Sequence, residues 1–470
     1  MFFGKNRCRE NDMELPIMKR RMLVVTLLLV AFFFTCRPAG AETSGENRVL
    51  SIHKAIEIAL EKNPEILSAK ARLESSAHMV SAARSGLMPR LDVSETFQNT
   101  SVPMWVFGTK LNQGTITAMD FNPSRLNDPD DISNFNTKVS MTWPLYDGGK
   151  TFADLARSKL AKEVSLLGLK KVQQDIISRT AQAYVGVLLA SENLKVVNKA
   201  LETAIAHMKT VKNRYHNGFV VKSDLLRAQV RIAELVQQQL DAESRLDIAI
   251  AMLNTVMGNP VDSRPVLSTP FQNCVETKGD QDLWIKKALS NRPDLKQLEI
   301  RQQIAKKKIE MSRAGHLPQV FLNGDYEINS KSFDGSADCY TVGATVQLNL
   351  FAGNGISARV RAAKAEMESV KAMYEALKNA VKLQVRREYL SAQSAWQRIE
   401  VAGRSVAQSE ENLRIVGNRY KNGLLTIVDL LDAQVADQKA RSLHFQALHD
   451  YKVARIKLAA AAGIIDADFR

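Results

Sequence analysis

Apolar positions along this chain change period twice and then go through the same changes again. Residues 51–88 carry a helical period, interrupted at Asn63-Pro64, where a proline opens a new first turn. After Pro89 the period becomes two, with Leu91, Val93 and Phe97 on one face. It returns in Phe135, Val139, Met141, Trp143 and Leu145. Much later the same alternation runs through Val320, Leu322, Tyr326 and Ile328, then Tyr340, Val342, Ala344, Val346, Leu348 and Leu350, all at even positions. The pattern predicts four strands, each apolar on one face and about ten residues long, the length that crosses a bilayer as part of a barrel.

Between the strand pairs lies helix of unusual length. From Lys150 to Arg214 there is no proline, and two glycines occur in 65 residues. At 1.5 Å per residue such a helix is about 100 Å long. Leu166, Val187, Leu194, Leu201 and Met208 form one heptad series, broken at Gln173 and Thr180, and Leu169, Ile176, Ala183, Ala190, Val197, Ala204 and Val211 form another. A seven-residue repeat is the mark of coiled-coil packing, and the alanines point to close large-on-small contact. Asn217-Gly218 should end the helix, because glycine is the common residue just beyond a helix C-terminus. A second helix from about 222 to 257 should return antiparallel, and the later half should repeat the pair from about 355 to 462.

The repetition extends to individual residues. Pro64 and Pro293, and again Pro89 and Pro318, stand 229 residues apart in matching contexts. Arg214-Tyr215-His216-Asn217-Gly218 recurs as Arg419-Tyr420-Lys421-Asn422-Gly423, and Asp224-Leu225-Leu226 recurs as Asp429-Leu430-Leu431, both at an offset of 205. The two offsets differ by 24 residues, so the first copy carries an insertion of that size between its two strands. The expected organisation is a signal peptide over 1–41, a first repeat over 42–275 with a long inserted loop at 101–131, and a second repeat over 276–470.

The leader sets the destination. Lys19, Arg20 and Arg21 precede an apolar run from Met22 to Thr35, and Ala39-Gly40-Ala41 supplies the cleavage pattern of a secretory signal. Phe33 and Thr35 stand where a lipoprotein signal at Cys36 would carry Leu and a small residue. The net charge is +14, falling to about +10 once the leader's seven Lys/Arg and three Asp/Glu are removed. These charges alternate in sign along helical faces, without the basic cluster that nucleic-acid binding requires. Cys274 and Cys339 remain, far apart and without a C-x-x-C, which supports neither a metal site nor a disulfide framework. Gly149-Lys150-Thr151 ends like a phosphate-binding loop, but Pro144 occupies the position of its first glycine. No histidine pair has ligand spacing, so the reading is of a protein without catalysis or cofactor.

Beyond the leader no apolar run approaches the length of a membrane-spanning helix, so a chain sent to a membrane would cross it as barrel strands. Four strands cannot close a barrel, and an open edge is not tolerated in lipid. Three chains would supply twelve strands, an even number within the known range, which makes a homotrimer the expected assembly.

The Asn-Pro and Gly-x-x-Pro entries, the strand-to-helix junctions at Pro144 to Gly149 and Asn349 to Gly353, and the paired tip turns together resemble the outer-membrane efflux protein family, the TolC-like channels. The resemblance implies a mostly helical fold with a β part: a trimeric 12-stranded barrel in the outer membrane and an α-barrel of long antiparallel helices across the periplasm. It also implies a periplasmic adaptor protein docked on the helical tips, Asn217-Gly218 and Asn422-Gly423, and an inner-membrane pump of the RND, ABC or a similar kind. Carried over by motif, the periplasmic gate falls on Asp429 and Asp432, with Tyr420 before the turn and Asp224 in the first repeat. Asp429 and Asp432 are spaced i and i+3, which places them on one helix face, and three chains would gather six carboxylates in a ring that favours cations. Arg227 stands where the second repeat has Asp432, so an ion pair between neighbouring helix pairs would hold the closed state. Leu425 takes the place of a basic residue that helps lock the gate in some members. The rival reading is a periplasmic adaptor. It would need a single hairpin, a lipoyl-like β domain and a membrane anchor, whereas this chain has two equivalent hairpins.

Overall fold

The computed structural model describes residues 49–466, apart from 272, 273, 275, 277, 278 and 333–336. The signal peptide expected over 1–41 lies outside the described residues.

Each half begins with a pair of short helices. In the first, α1 (Ile52–Lys62) and α2 (Pro64–Ser85) meet at Asn63. Asn63 caps α2 by accepting from the Glu65 N–H at 2.8 Å, and its amide donates to the Val256 carbonyl at 2.7 Å. A side chain at this bend therefore satisfies the first turn of one helix and ties it to the end of another. The strands β2 (Arg90–Thr100) and β3 (Ile132–Tyr146) follow, then the hairpin α5 (Lys150–His216) and α6 (Lys222–Met257). Between β2 and β3 the insertion folds into α3 (Pro103–Asn112), a 3-10 turn at Ala118–Phe121 and α4 (Pro123–Asn127). The second half supplies α7 (Gln281–Asn291), α8 (Pro293–Arg313), β5 (Gln319–Ser330), β6 (Ala337–Gln347), α9 (Gly355–Lys421) and α10 (Ile427–Ala461). A two-residue parallel ladder joins β1 (Val49–Leu50) to β4 (Val266–Leu267).

The long helices α5 and α9 have 67 residues each. Neither could stand alone in water, since helix stability in proteins comes from tertiary burial of a face. Here α1, α2 and α8 pack along α5, and α7 and α8 pack along α9. Ala55, Ala59 and Ile66 meet Ile176, Tyr184 and Leu253 in one core, and Ala288 and Leu295 meet Val381, Val385 and Leu458 in its counterpart. Gly258 ends α6 in the left-handed region at φ 74°, where a Cβ would lie 2.8 Å from the Lys62 carbonyl oxygen. At the equivalent Gly463, with φ 67°, a Cβ would lie 3.0 Å from the Arg292 backbone nitrogen and 3.1 Å from the Asn291 carbonyl carbon. In each repeat the returning helix thus locks onto the proline bend that began the repeat.

The strands form one antiparallel sheet in the order β2-β3-β5-β6. Registers place Val93 opposite Val139, Val139 opposite Tyr326, and Tyr326 opposite Tyr340, so apolar residues line up in rows on one face. Val93, Tyr340, Val342 and Val346 are 70–78% exposed in the single chain. The other face is polar, with Lys138 paired to Asp325 at 3.2 Å and Glu327 at 3.0 Å. An exposed apolar face backed by a polar one is the arrangement of a lipid-facing barrel wall around a wet interior. Among the described residues no helix is long and apolar enough to cross a membrane.

Candidate gate at the helical tips

Both hairpins turn through the same backbone motif. Gly218 N–H donates to Tyr215 O at 3.0 Å and Phe219 N–H to Arg214 O at 2.9 Å; Gly423 to Tyr420 O and Leu424 to Arg419 O repeat those distances. These crossed bonds satisfy the last carbonyls of α5 and α9, and glycine adopts the left-handed step they need. Asn217, Gly218, Asn422 and Gly423 are exposed, and beyond them Phe219 and Leu424 project apolar side chains into solvent.

Behind the turns the two hairpins share a small core of Val211, Ala228, Tyr420, Ile427 and Leu430. Tyr420 is 2% exposed, and its hydroxyl is buried without a hydrogen-bond partner. Burial pushes that hydroxyl above the usual tyrosine range, and Asp224 adds to the effect while Arg214 opposes it. The Arg214 guanidinium crosses from the first repeat, stacks 5.2 Å over the Tyr420 ring and donates to the Tyr420 carbonyl. Tyr420 is thus a packing and anchoring residue between hairpins. It does not line an open passage in the single chain.

The acidic residues behave differently from one another. Asp429 is exposed and completes a capping box at the start of α10. Its carboxylate accepts from the Thr426 N–H at 2.9 Å and the Thr426 hydroxyl at 2.6 Å, while that hydroxyl accepts from the Asp429 N–H at 3.3 Å. Those bonds to Thr426 hold its pKa below the usual aspartate value. Asp432 is exposed and, among the described residues, has neither an ion-pair nor a hydrogen-bond partner. Asp224 is half-buried near Tyr420, and Arg227 is exposed. Within one chain Arg227 and Asp432 are not paired among the described residues. Asp429, Asp432 and Arg227 therefore present charge to solvent, while Tyr420 and Asp224 sit against the inter-hairpin core.

Two features escaped sequence reasoning. Arg214 lies inside a quoted repeat motif, but its reach across 206 residues to Tyr420 has no local signal. Farther from the tip, Arg231 is 8% exposed and donates to Gln438 at 2.7 Å, and Gln438 donates to Gln238 at 2.8 Å. This polar layer between α6 and α10 could have been noticed as Arg and Gln standing in positions that a heptad assigns to apolar residues.

A family model for outer membrane efflux proteins matches residues 55–259 and 284–464, covering both hairpins and both strand pairs. The chain belongs to the outer membrane efflux protein family. It is similar to the alkaline protease secretion protein AprF of Pseudomonas aeruginosa, at 25% identity over 87% of this chain and 83% of that one. It is also similar to the outer membrane protein TolC of Vibrio cholerae, at 23% identity over 87% of this chain and 89% of that one. Among solved structures, the CmeC outer membrane channel of Campylobacter jejuni superposes with a TM-score of 0.76 at 18% identity, covering 90% of this chain and 87% of that one. VceC of Vibrio cholerae gives a TM-score of 0.72 at 18% identity, covering 88% of this chain and 96% of that one. The fold is that of a TolC-like channel, with α-barrel and β-barrel parts. This efflux-family protein is an outer-membrane exit duct with its helical part in the periplasm, and it is a channel rather than an enzyme. Channels of this family work in tripartite efflux and secretion systems with an adaptor and an inner-membrane pump.

Proposed function

We propose that three copies of this chain form a passive conduit from periplasm to exterior that is gated at the helical tips. The observation that carries this reading is the four-stranded sheet, whose outer strands β2 and β6 each pair on one side alone among the described residues. An unpaired edge in lipid costs several kcal/mol per exposed backbone group, so β6 of one chain must meet β2 of the next. Three chains close the sheet at twelve strands, with the polar face and its Lys138–Asp325–Glu327 cluster inward.

The gate follows from the charged positions at the tips. Asp432, exposed and unpartnered, and Asp429, exposed with its cap engaged, form the narrow acidic ring when three α10 helices converge. Asp224 and Tyr420 support the ring from within the inter-hairpin core, and Arg227 is the candidate partner of Asp432 on the neighbouring chain. The turns at Asn217-Gly218 and Asn422-Gly423, with Phe219 and Leu424 projecting from them, are where a periplasmic adaptor docks and through which an inner-membrane pump delivers its cargo.

Single-channel conductance of the purified oligomer in planar bilayers tests both parts. The wild type should conduct weakly and prefer cations, and Asp429→Ala/Asp432→Ala should raise the conductance severalfold and abolish the preference. An oligomer that conducts and is indifferent to the double substitution would move the constriction elsewhere. A folded oligomer that never conducts would count against the conduit itself.

A further inference from the structure

The insertion between β2 and β3 lies on the polar face of the sheet, at the end remote from the helical hairpins. The Gln113 side-chain amide, just past α3, donates to Ser133 O at 2.8 Å and to Asn134 Oδ1 at 2.9 Å. Asn134 in turn donates to Asn329 Oδ1 at 2.8 Å, and Asn136 donates to the same oxygen at 3.0 Å. Asn134 and Asn136 alternate with the outward-facing Phe135, and the side chains they meet stand beside the inward ion pairs of Lys138. A Cβ on Gly114 would touch Ala337 at 3.6 Å, which ties the same segment to β6. Asn329 is 2% exposed and Ile132 is 8% exposed, on a face that would be open without the insertion.

The segment is braced internally as well as anchored. Lys110 pairs with Asp120 at 2.8 Å, and Asp120 closes a capping box on Thr117, accepting from its N–H at 2.7 Å. Bonds from Lys110 and then Thr117 lower the Asp120 pKa to about 2, so its carboxylate stays charged well below neutral pH. Its far side is apolar and uncovered: Met104, Trp105, Met119 and Phe121 are each 60–78% exposed.

We infer that this insertion is a helical plug, and that three copies meet one another through those apolar side chains to close the outer mouth of the barrel. The inference rests on the trimeric conduit proposed above. Twelve strands spaced about 4.8 Å apart and tilted about 40° enclose a cylinder about 24 Å across, so the axis lies about 12 Å from the wall. A helix with its side chains is about 10–12 Å thick. A helix laid on the wall therefore reaches the axis, and the surface it offers there is met by the same helix from the other two chains. Apolar side chains so placed would be desolvated against each other, whereas in an open lumen they would stay in water. The occupant of this apolar face is the protein's own second and third copy.

Cys339 provides the test. It is exposed, belongs to β6 opposite Glu327, and stands on the polar face two residues deeper than Ala337. In the full-length chain carrying Cys274→Ser, intact cells are treated with a small methanethiosulfonate or with a bulky polyethylene-glycol maleimide. The small reagent should modify Cys339 in every form. The bulky one should be excluded from the wild-type mouth and admitted at least tenfold faster when residues 102–130 are replaced by a Gly-Ser turn. Gln113→Ala/Asn134→Ala, which keeps the helices and loosens the tether, should fall between the two. Equal rates of bulky labelling in the wild type and the shortened chain, whether fast in both or excluded from both, would overturn the plug. Conductance of the same oligomers reads the conduit separately, because labelling from outside does not pass the periplasmic tips.

Discussion

The two helical tips share a turn and differ in almost everything that surrounds it. Their crossed hydrogen bonds agree, and the residues that precede the returning helices, Val221 and Thr426, have φ/ψ of −86/161° and −83/164°. Yet Thr426 caps its helix through Asp429, while Val221 has no side-chain oxygen to offer Asp224. Tyr420 is buried under Arg214, whereas its counterpart Tyr215 is half-buried beside His216. The second tip is therefore tied down twice, by a cap of its own and by a cation from the first repeat. The backbone of the repeat is common property, and the asymmetry between the tips is written in a few side chains.

The largest expected effect comes from removing the shared anchor. Tyr420→Ala should cost about 3–5 kcal/mol of local packing, as truncation of a buried aromatic does, and Tyr215→Ala less than about 1 kcal/mol. Hydrogen exchange of the amides over 413–431 reads this directly. Equal protection loss in the two variants would show that the tips are energetically equivalent despite their contacts.

Exchanging the caps should have a smaller effect. Thr426→Ala should loosen the start of α10 by about 1 kcal/mol, and Val221→Thr should build the missing box on Asp224 and gain up to a comparable amount. The backbone at Val221 already has the geometry required. If Val221→Thr leaves exchange at the start of α6 unchanged, the difference between the tips lies elsewhere than in the cap.

The smallest effect is that of pH. The folded-state pKa of Asp429 is lowered by its bonds to Thr426. Its contribution is therefore complete above the unfolded value, near 4, and is lost as pH falls through the lower folded value. Acidification below about pH 4 should lower the protection of amides at the start of α10, measured against their intrinsic exchange rate at each pH, while leaving protection at the start of α6 unaffected, and Thr426→Ala should remove the difference.

Much of this architecture was legible in the sequence. Strands alternate and long helices carry heptads because each element must bury one face, and that demand fixes a period whatever the neighbours are. The tip turns were legible because a left-handed step selects glycine. Thr426-x-x-Asp429 was readable as a capping box, although the acidic pair drew attention to a pore ring first. The segment 101–131 read as a loop because its helices are short and punctuated by prolines. Pro103 and Pro123 in fact occupy first-turn positions, where the missing N–H costs nothing.

By itself, then, the sequence determined the period of every long element and the turns, since each of these depends on neighbours a few residues away, and it displayed the duplication directly as recurring strings. Only the tertiary structure decided that Tyr420 is buried between the hairpins, that Arg214 reaches across to it, and that the insertion packs on the polar face through Gln113 and Asn134. Those facts join residues separated in the chain by anything from twenty to two hundred positions. Such contacts form where packing of whole helices and strands brings side chains within hydrogen-bond reach, and no local pattern encodes that meeting.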